Sequence, residues 1–246
     1  MFLSLAAGAG ALTLALAPAV PVQDLYDSGR LRRASCPEEK ISHGGIPRTR
    51  QYLSAVVKCL DTTWSAHFKR AGLPFSPPVV RFYDEPADRV CGVRWPAGAA
   101  AFYCTDRRTL VFPLQGRWIE ERKDLYPFKI AAHEYGHHLQ SLTGIRAAYE
   151  QRVRARQGDH HELGRRYELQ ADCLAGAFIG GVWSSLGRPS ADWTALVEST
   201  KASGDEGDTP RTHGTGTSRT YWLKRGFAAT SPAACDTWKA PASRVS

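Results

Sequence analysis

Apolar residues recur at three- and four-residue steps through RQYLSAVVKCLDTTWSAHFKRAG, where Leu53, Val56, Val57, Leu60, Trp64 and Phe68 make one stripe. That period predicts an amphipathic helix with a single buried face, ended by Gly72 and Pro74. His67 lies beside the stripe, where packing suits it better than ligation. The pattern then shortens. PVVRFYD at 78–84, AAFYC at 100–104 and TLVFP at 109–113 are β-branched and aromatic runs set off by Gly, Pro and Asp, and they read as strands. From Pro127 the period is helical again. A proline suits the first turn, where its missing N–H needs no partner, and Gly144 is a natural stop. Further helices are expected over 145–157, 162–186, 191–202 and 217–228, with the polar loop SGDEGDTPRTHGTG before the last. The order of helix, small sheet and then helices predicts an α+β fold, mainly helical, with no internal repeat.

The first 20 residues carry no charged side chain. They read as the apolar part of a secretory signal, with Ala15-Leu16-Ala17 or Ala17-Pro18-Ala19 as the cleavage site. No Lys or Arg precedes the run, so the alternative is an uncleaved membrane anchor with the domain outside. The expected organisation is a signal or anchor over 1–19, a linker or loosely docked arm over 20–48, and one domain over 49–246. No later stretch is long and apolar enough to span a bilayer. Six cysteines, at 36, 59, 91, 104, 173 and 235, suit up to three disulfides in an exported chain. Cys91 and Cys104 bracket the Gly-rich loop CGVRWPAGAAAFYC and form the natural local pair. No CxxC occurs, which argues against a zinc ribbon or a thioredoxin motif.

The formal charge of +8 suits an anionic cell-wall or membrane surface. No nucleic-acid-binding motif accompanies it. The densest basic run, QRVRARQGDHHELGRR at 151–166, reads as a solvated helix face. Nothing in the sequence sets the oligomeric state.

The richest chemistry lies in AAHEYGHHLQ at 131–140. His133 and His137 stand four apart, on one face of a helix, and can turn two imidazoles to one ion. Glu134 sits about 100° around the axis, beside the ion rather than on it, where it can take a proton from an activated water. Gly136 costs a helix about 1 kcal/mol relative to alanine, which close packing against another backbone would explain. His138 points elsewhere and is assigned to hydrogen bonding. A catalytic zinc site generally takes a third protein ligand. The metzincin extension fails, since Gln140 and Thr143 occupy its glycine and histidine positions. Glu168 and Asp172, four apart on a predicted helix, offer one carboxylate for the metal and one for a ligand histidine's N–H. Glu150 and Glu162 lack a following Asp and are weaker alternatives. His160 and His161 fall in a polar turn. His213, in DTPRTHGTGTSR, could donate to the oxyanion of peptide hydrolysis, with Tyr135 and Tyr167 as competitors. Cys173 follows Asp172, faces away from Glu168, and suits a disulfide, with Cys235 as a candidate partner.

HEYGHHLQ, YELQADCLAG, THGTGTSR and WLKRGF, with CG…GAAAFYC and CLDTTW upstream, resemble the bacterial family of neutral zinc metallopeptidases over about residues 51–238. The resemblance implies a zincin-like fold of gluzincin type, with the small sheet next to the active-site helix. It implies zinc held by His133, His137 and Glu168, Glu134 as general base, and Asp172 orienting His133. It implies a peptide or protein substrate. The segment TDRRTLVFP departs from the family pattern by being shorter and lacking a tyrosine. Thr109–Phe112 is the strand whose edge would hold an extended substrate. The spacing from His137 to Glu168 exceeds that of thermolysin-type enzymes. A reading from another class is a catalytically silent zinc-containing binding protein at the cell surface.

Overall fold

The stripe at 53–68 becomes the inner face of helix α2 (Gly45–Ala71), where Leu53, Leu60, Trp64 and Phe68 are buried. The helix begins five residues before RQYL because Pro47 falls in its first turn, where an absent N–H costs nothing. Gly72 closes it in the left-handed conformation at φ 69°. The computed structural model describes residues 23–39, 41, 44–96, 99–120, 122, 124–156, 158–206 and 211–246. The expected signal or anchor at 1–19 lies outside the described residues.

A three-stranded mixed sheet follows. Strand β1 (Val79–Tyr83) pairs in parallel with β5 (Thr109–Pro113), and β4 (Phe102–Cys104) pairs antiparallel with the other side of β5. Two short strands, β2 (Arg89–Val90) and β3 (Val93–Arg94), make a separate hairpin. The strand proposed to hold substrate, Thr109–Phe112, is the centre of the sheet. Both its edges are paired, so β4 is the strand with a free edge on the helical side. Strand order is a non-local property, and residue type along TLVFP does not report it.

Helices α3 (Tyr126–Leu142), α4 (Ile145–Arg154), α5 (His160–Val182), α6 (Ser190–Ala202) and α7 (Gly216–Ala229) complete the fold, each within a few residues of expectation. The architecture is α+β and mostly helical. Helices α5 and α7 meet backbone to backbone: a Cβ on Gly226 would run into the Cys173 carbonyl, and one on Gly176 into that of Leu223. Gly136 serves the same end between α3 and α5, where an added Cβ would lie 3.1 Å from Ala171 Cα. Its helical cost is offset by this close approach, which sets the separation of the two helices that carry the candidate ligands.

The stretch read as a linker or arm packs on the helices. A short helix α1 (Gln23–Tyr26) buries Leu25. The Leu31 N–H donates to the Thr230 carbonyl, and Cys36 is bonded to Cys59 on α2. Cys91–Cys104 and Cys173–Cys235 are the other two disulfides, and no cysteine is free. Three disulfides belong to an oxidising environment. No helix among the described residues is long and apolar enough to cross a membrane. The basic run divides: Arg152, Arg154 and Arg156 face solvent, whereas Arg166 is buried between Glu162 and the Thr237 and Ala240 carbonyls.

Candidate metal centre

Half of the site comes from α3 and half from α5. His133 and His137 present their rings on one face, edge to face with centroids 4.9 Å apart. Both Nε2 atoms approach the same oxygen of Glu168, at 3.2 and 3.3 Å. One ligand atom from each of the three residues lies within 4.8 Å of the others. Ligands bound tetrahedrally at ~2.0–2.2 Å stand ~3.4 Å apart, so the spacing fits a single ion. Two imidazoles and a carboxylate are a donor set that suits zinc.

Each imidazole is held from behind. His133 Nδ1 lies 2.8 Å from Asp172 Oδ1. Asp172 is fully buried between that ring, Lys129 Nζ at 2.5 Å and Arg219 Nε at 2.9 Å. Burial alone would raise the Asp172 carboxyl, but Arg219 and Lys129 hold it well below the usual carboxylate range. His137 Nδ1 lies 2.8 Å from Gln140 Oε1, and its ring stacks on Tyr167 with centroids 4.8 Å apart. Arg165 and Arg166 pair with neither Glu168 nor Asp172, so these carboxylates are not an ordinary charged face.

Glu134 is buried beside the cluster. Burial raises its carboxyl above the ordinary range, against the pull of His133 and His137. It lines a cleft of about 510 Å³ with the three candidate ligands, Tyr126, Arg146, His213 and Arg219. Phe102 and Tyr103 of β4, an outer strand of the sheet, and the preceding Ala101 also line the cleft.

His213 reaches this cleft from the loop before α7, with Nε2 3.8 Å from Glu168 Oε2 and its side chain 47% exposed. Asp205 holds that loop: its Oδ2 accepts the backbone N–H groups of Thr212, His213 and Gly214 at 2.6, 2.6 and 3.3 Å. Of the other oxyanion candidates, Tyr135 is buried away from the cleft and donates to Asp61 at 2.6 Å. Tyr167 stacks its ring on His137 and lines the same cleft.

His138 turns from the cluster. Its Nε2–H donates to the Ser76 carbonyl at 2.7 Å, so its Nδ1 accepts from the Tyr103 hydroxyl at 3.0 Å. It thereby ties α3 to the edge strand. His67 is buried on α2 and bonds Ser28, far from any ligand role. His160 and His161 open α5 behind its N-cap Asp159.

Lys129, Gln140, Gln170, Asp205 and Arg219 are the supporting residues that sequence reasoning did not single out. Helical spacing carried a signal for two of them. Lys129 stands four residues before His133 and Gln140 three after His137, each on the ligand face.

A family model described as "Putative neutral zinc metallopeptidase" matches residues 32–238. The Uncharacterized protein YpfJ of Escherichia coli (strain K12) is 28% identical over 209 residues, covering 76% of this chain and 71% of that protein. The Uncharacterized protein Rv2575 of Mycobacterium tuberculosis (strain ATCC 25618 / H37Rv) is 30% identical over 199 residues, 68% of this chain and 64% of that protein. No solved structure matches.

Proposed function

This chain belongs to the neutral zinc metallopeptidase family, and from that premise we propose that it hydrolyses peptide bonds at a gluzincin-type centre of a zincin-like fold, with His133, His137 and Glu168 holding zinc. The observation that carries this reading is the approach of both histidine Nε2 atoms to one Glu168 oxygen, at 3.2 and 3.3 Å, beside the buried Glu134. When bound, zinc supplies a Lewis acid that polarises a carbonyl and acidifies water.

The chain's own residues supply the rest. Glu134 takes the proton of the attacking water and returns it to the leaving amine. Burial makes its carboxylate a stronger base than a solvated one, which suits both halves of that role. His213 donates to the oxygen that gains charge. The free edge of β4 offers backbone N–H and C=O groups to an extended peptide, as in strand addition. Asp172 fixes the His133 ring through Nδ1. The partner is a peptide or protein chain met outside the cytoplasm, in keeping with three disulfides, and the +8 charge favours residence near anionic wall or membrane surfaces.

The test is Glu134→Gln. It should retain zinc at the parent stoichiometry and lose peptide cleavage by about 10²–10⁴-fold. Cleavage at the parent rate would sink the mechanism.

A further inference from the structure

The two candidate ligand imidazoles are braced by different chemistry. His133 leans on a charged group, Asp172. His137 leans on a neutral chain: its Nδ1 meets Gln140 Oε1 at 2.8 Å, Gln140 Nε2 meets Gln170 Oε1 at 2.9 Å, and Gln170 Nε2 meets Tyr26 Oη at 2.6 Å. Both glutamines are fully buried.

Two backbone carbonyls fix the direction of this chain. The Cys235 carbonyl, which can only accept, lies 3.0 Å from Gln170 Nε2. The Tyr167 carbonyl, likewise only an acceptor, lies 2.8 Å from Gln140 Nε2. Turning either amide over would set oxygen against oxygen in a buried site, where an unpaired polar group is costly. Gln170 must therefore offer Oε1 to Gln140, and Gln140 must offer Oε1 to His137. His137 must then carry a proton on Nδ1, which leaves Nε2, the atom that faces Glu168, as the one that would hold the ion. The Cys173–Cys235 disulfide anchors the first carbonyl to α5.

We propose that Gln140, Gln170 and Tyr26 are positioning residues, a neutral hydrogen-bond relay that locks the His137 tautomer and makes helix α1 a supporting part of the metal centre. Tyr26 precedes residue 32, where the family match begins. The inference rests on the metal-centre reading above. It gives the N-terminal arm a task beyond packing, because Tyr26 helps to hold the Gln170 amide in the orientation the rest requires.

The experiment measures zinc affinity of the full chain by chelator competition, with the Nδ1–H signal of His137 followed by ¹H–¹⁵N NMR of the zinc-loaded protein. Gln140→Met removes the acceptor and should weaken zinc by about 10–100-fold. Tyr26→Phe removes one link at the far end and should weaken it by about threefold. The parent should show a protected Nδ1–H on His137, a readout that stands even where Gln140→Met does not fold. Parent affinity in either folded variant, with His133→Ala losing zinc, would overturn the relay and leave the metal centre standing. A His137 that binds through Nδ1 would overturn it too. A parent chain that takes up no zinc would overturn the metal-centre reading and the relay together.

Discussion

His133 Nδ1 and Asp172 Oδ1 lie 2.8 Å apart across the α3–α5 contact, and the same oxygen receives Lys129 Nζ at 2.5 Å. One carboxylate therefore orients a candidate ligand and neutralises a buried ammonium. Its removal should act twice. Asp172→Ala is expected to weaken zinc by about 10–100-fold and to lower stability by about 3–5 kcal/mol, because Lys129 and Arg219 both lose the buried carboxylate they share. Adding Lys129→Met to Asp172→Ala should restore part of the stability, since Arg219 still lacks its carboxylate partner, and none of the zinc affinity. Chelator competition and urea denaturation on the single and double variants check both halves. Equal recovery of both quantities would refute the division of roles.

Gly136 sets how closely α3 approaches α5. With an added Cβ 3.1 Å from Ala171 Cα, a branched side chain has no room. Gly136→Val should cost about 1–3 kcal/mol of stability and reduce zinc affinity, since His133 and Glu168 sit on the two helices being pushed apart. Thermal denaturation with and without zinc tests this. An unchanged zinc-induced rise in Tm would mean the helices accommodate the residue without moving the ligands.

Helical periodicity made much of this molecule legible in advance. His133 with His137, and Glu168 with Asp172, each stand four apart on a helix, so one face carries each pair, and only the mutual approach of two helices was left to find. The supports are harder to read. A lysine or glutamine in a sequence reads as surface, because such side chains are mostly exposed, yet Lys129, Gln140 and Gln170 are all buried. Their burial is made tolerable by partners on other elements, which no local pattern encodes. The same holds for the sheet: TLVFP reads correctly as a strand, but its central place depends on pairing with β1 and β4. Tyr135, an attractive neighbour of the ligands in sequence, is turned by helix geometry toward Asp61 on α2.

Stability should depend on pH through a residue remote from the cleft. His67 is buried, its Nδ1 faces Arg70 Nη2 at 3.2 Å, and its Nε2–H donates to Ser28 Oγ at 2.8 Å, which donates in turn to the Leu25 carbonyl. Burial, with Arg70 adding to it, pushes the imidazole down from 6.5 to about 4. Between those values the unfolded chain binds a proton that the folded chain refuses. The contribution is thus complete above pH 6.5 and is lost as pH falls through about 4. It amounts to no more than about 3 kcal/mol, at 1.36 kcal/mol per unit. Urea denaturation at pH 7 and pH 4.5 should show a smaller loss in His67→Gln than in the parent. Parallel losses would remove His67 as a cause.

Asp205 supplies the last expectation, since it organises His213 without touching the candidate ligands. Its Oδ2 gathers three consecutive backbone N–H groups, and Thr215 N–H is held by the Ser246 carbonyl at 2.8 Å on the far side of the same loop. Asp205→Ala releases the first anchor and keeps the second. His213 should then sample positions away from the cleft, and kcat/KM for a peptide should fall by about 10–100-fold, the range that misplacement of a reacting partner by about 1 Å produces. Zinc affinity should stay within about twofold of the parent, since the relay and Asp172 that brace the two imidazoles are intact. His213→Ala should lose as much activity as Asp205→Ala, and the double variant little more, because both changes remove one contribution. Additive losses would show that Asp205 acts on the reaction by a route other than His213.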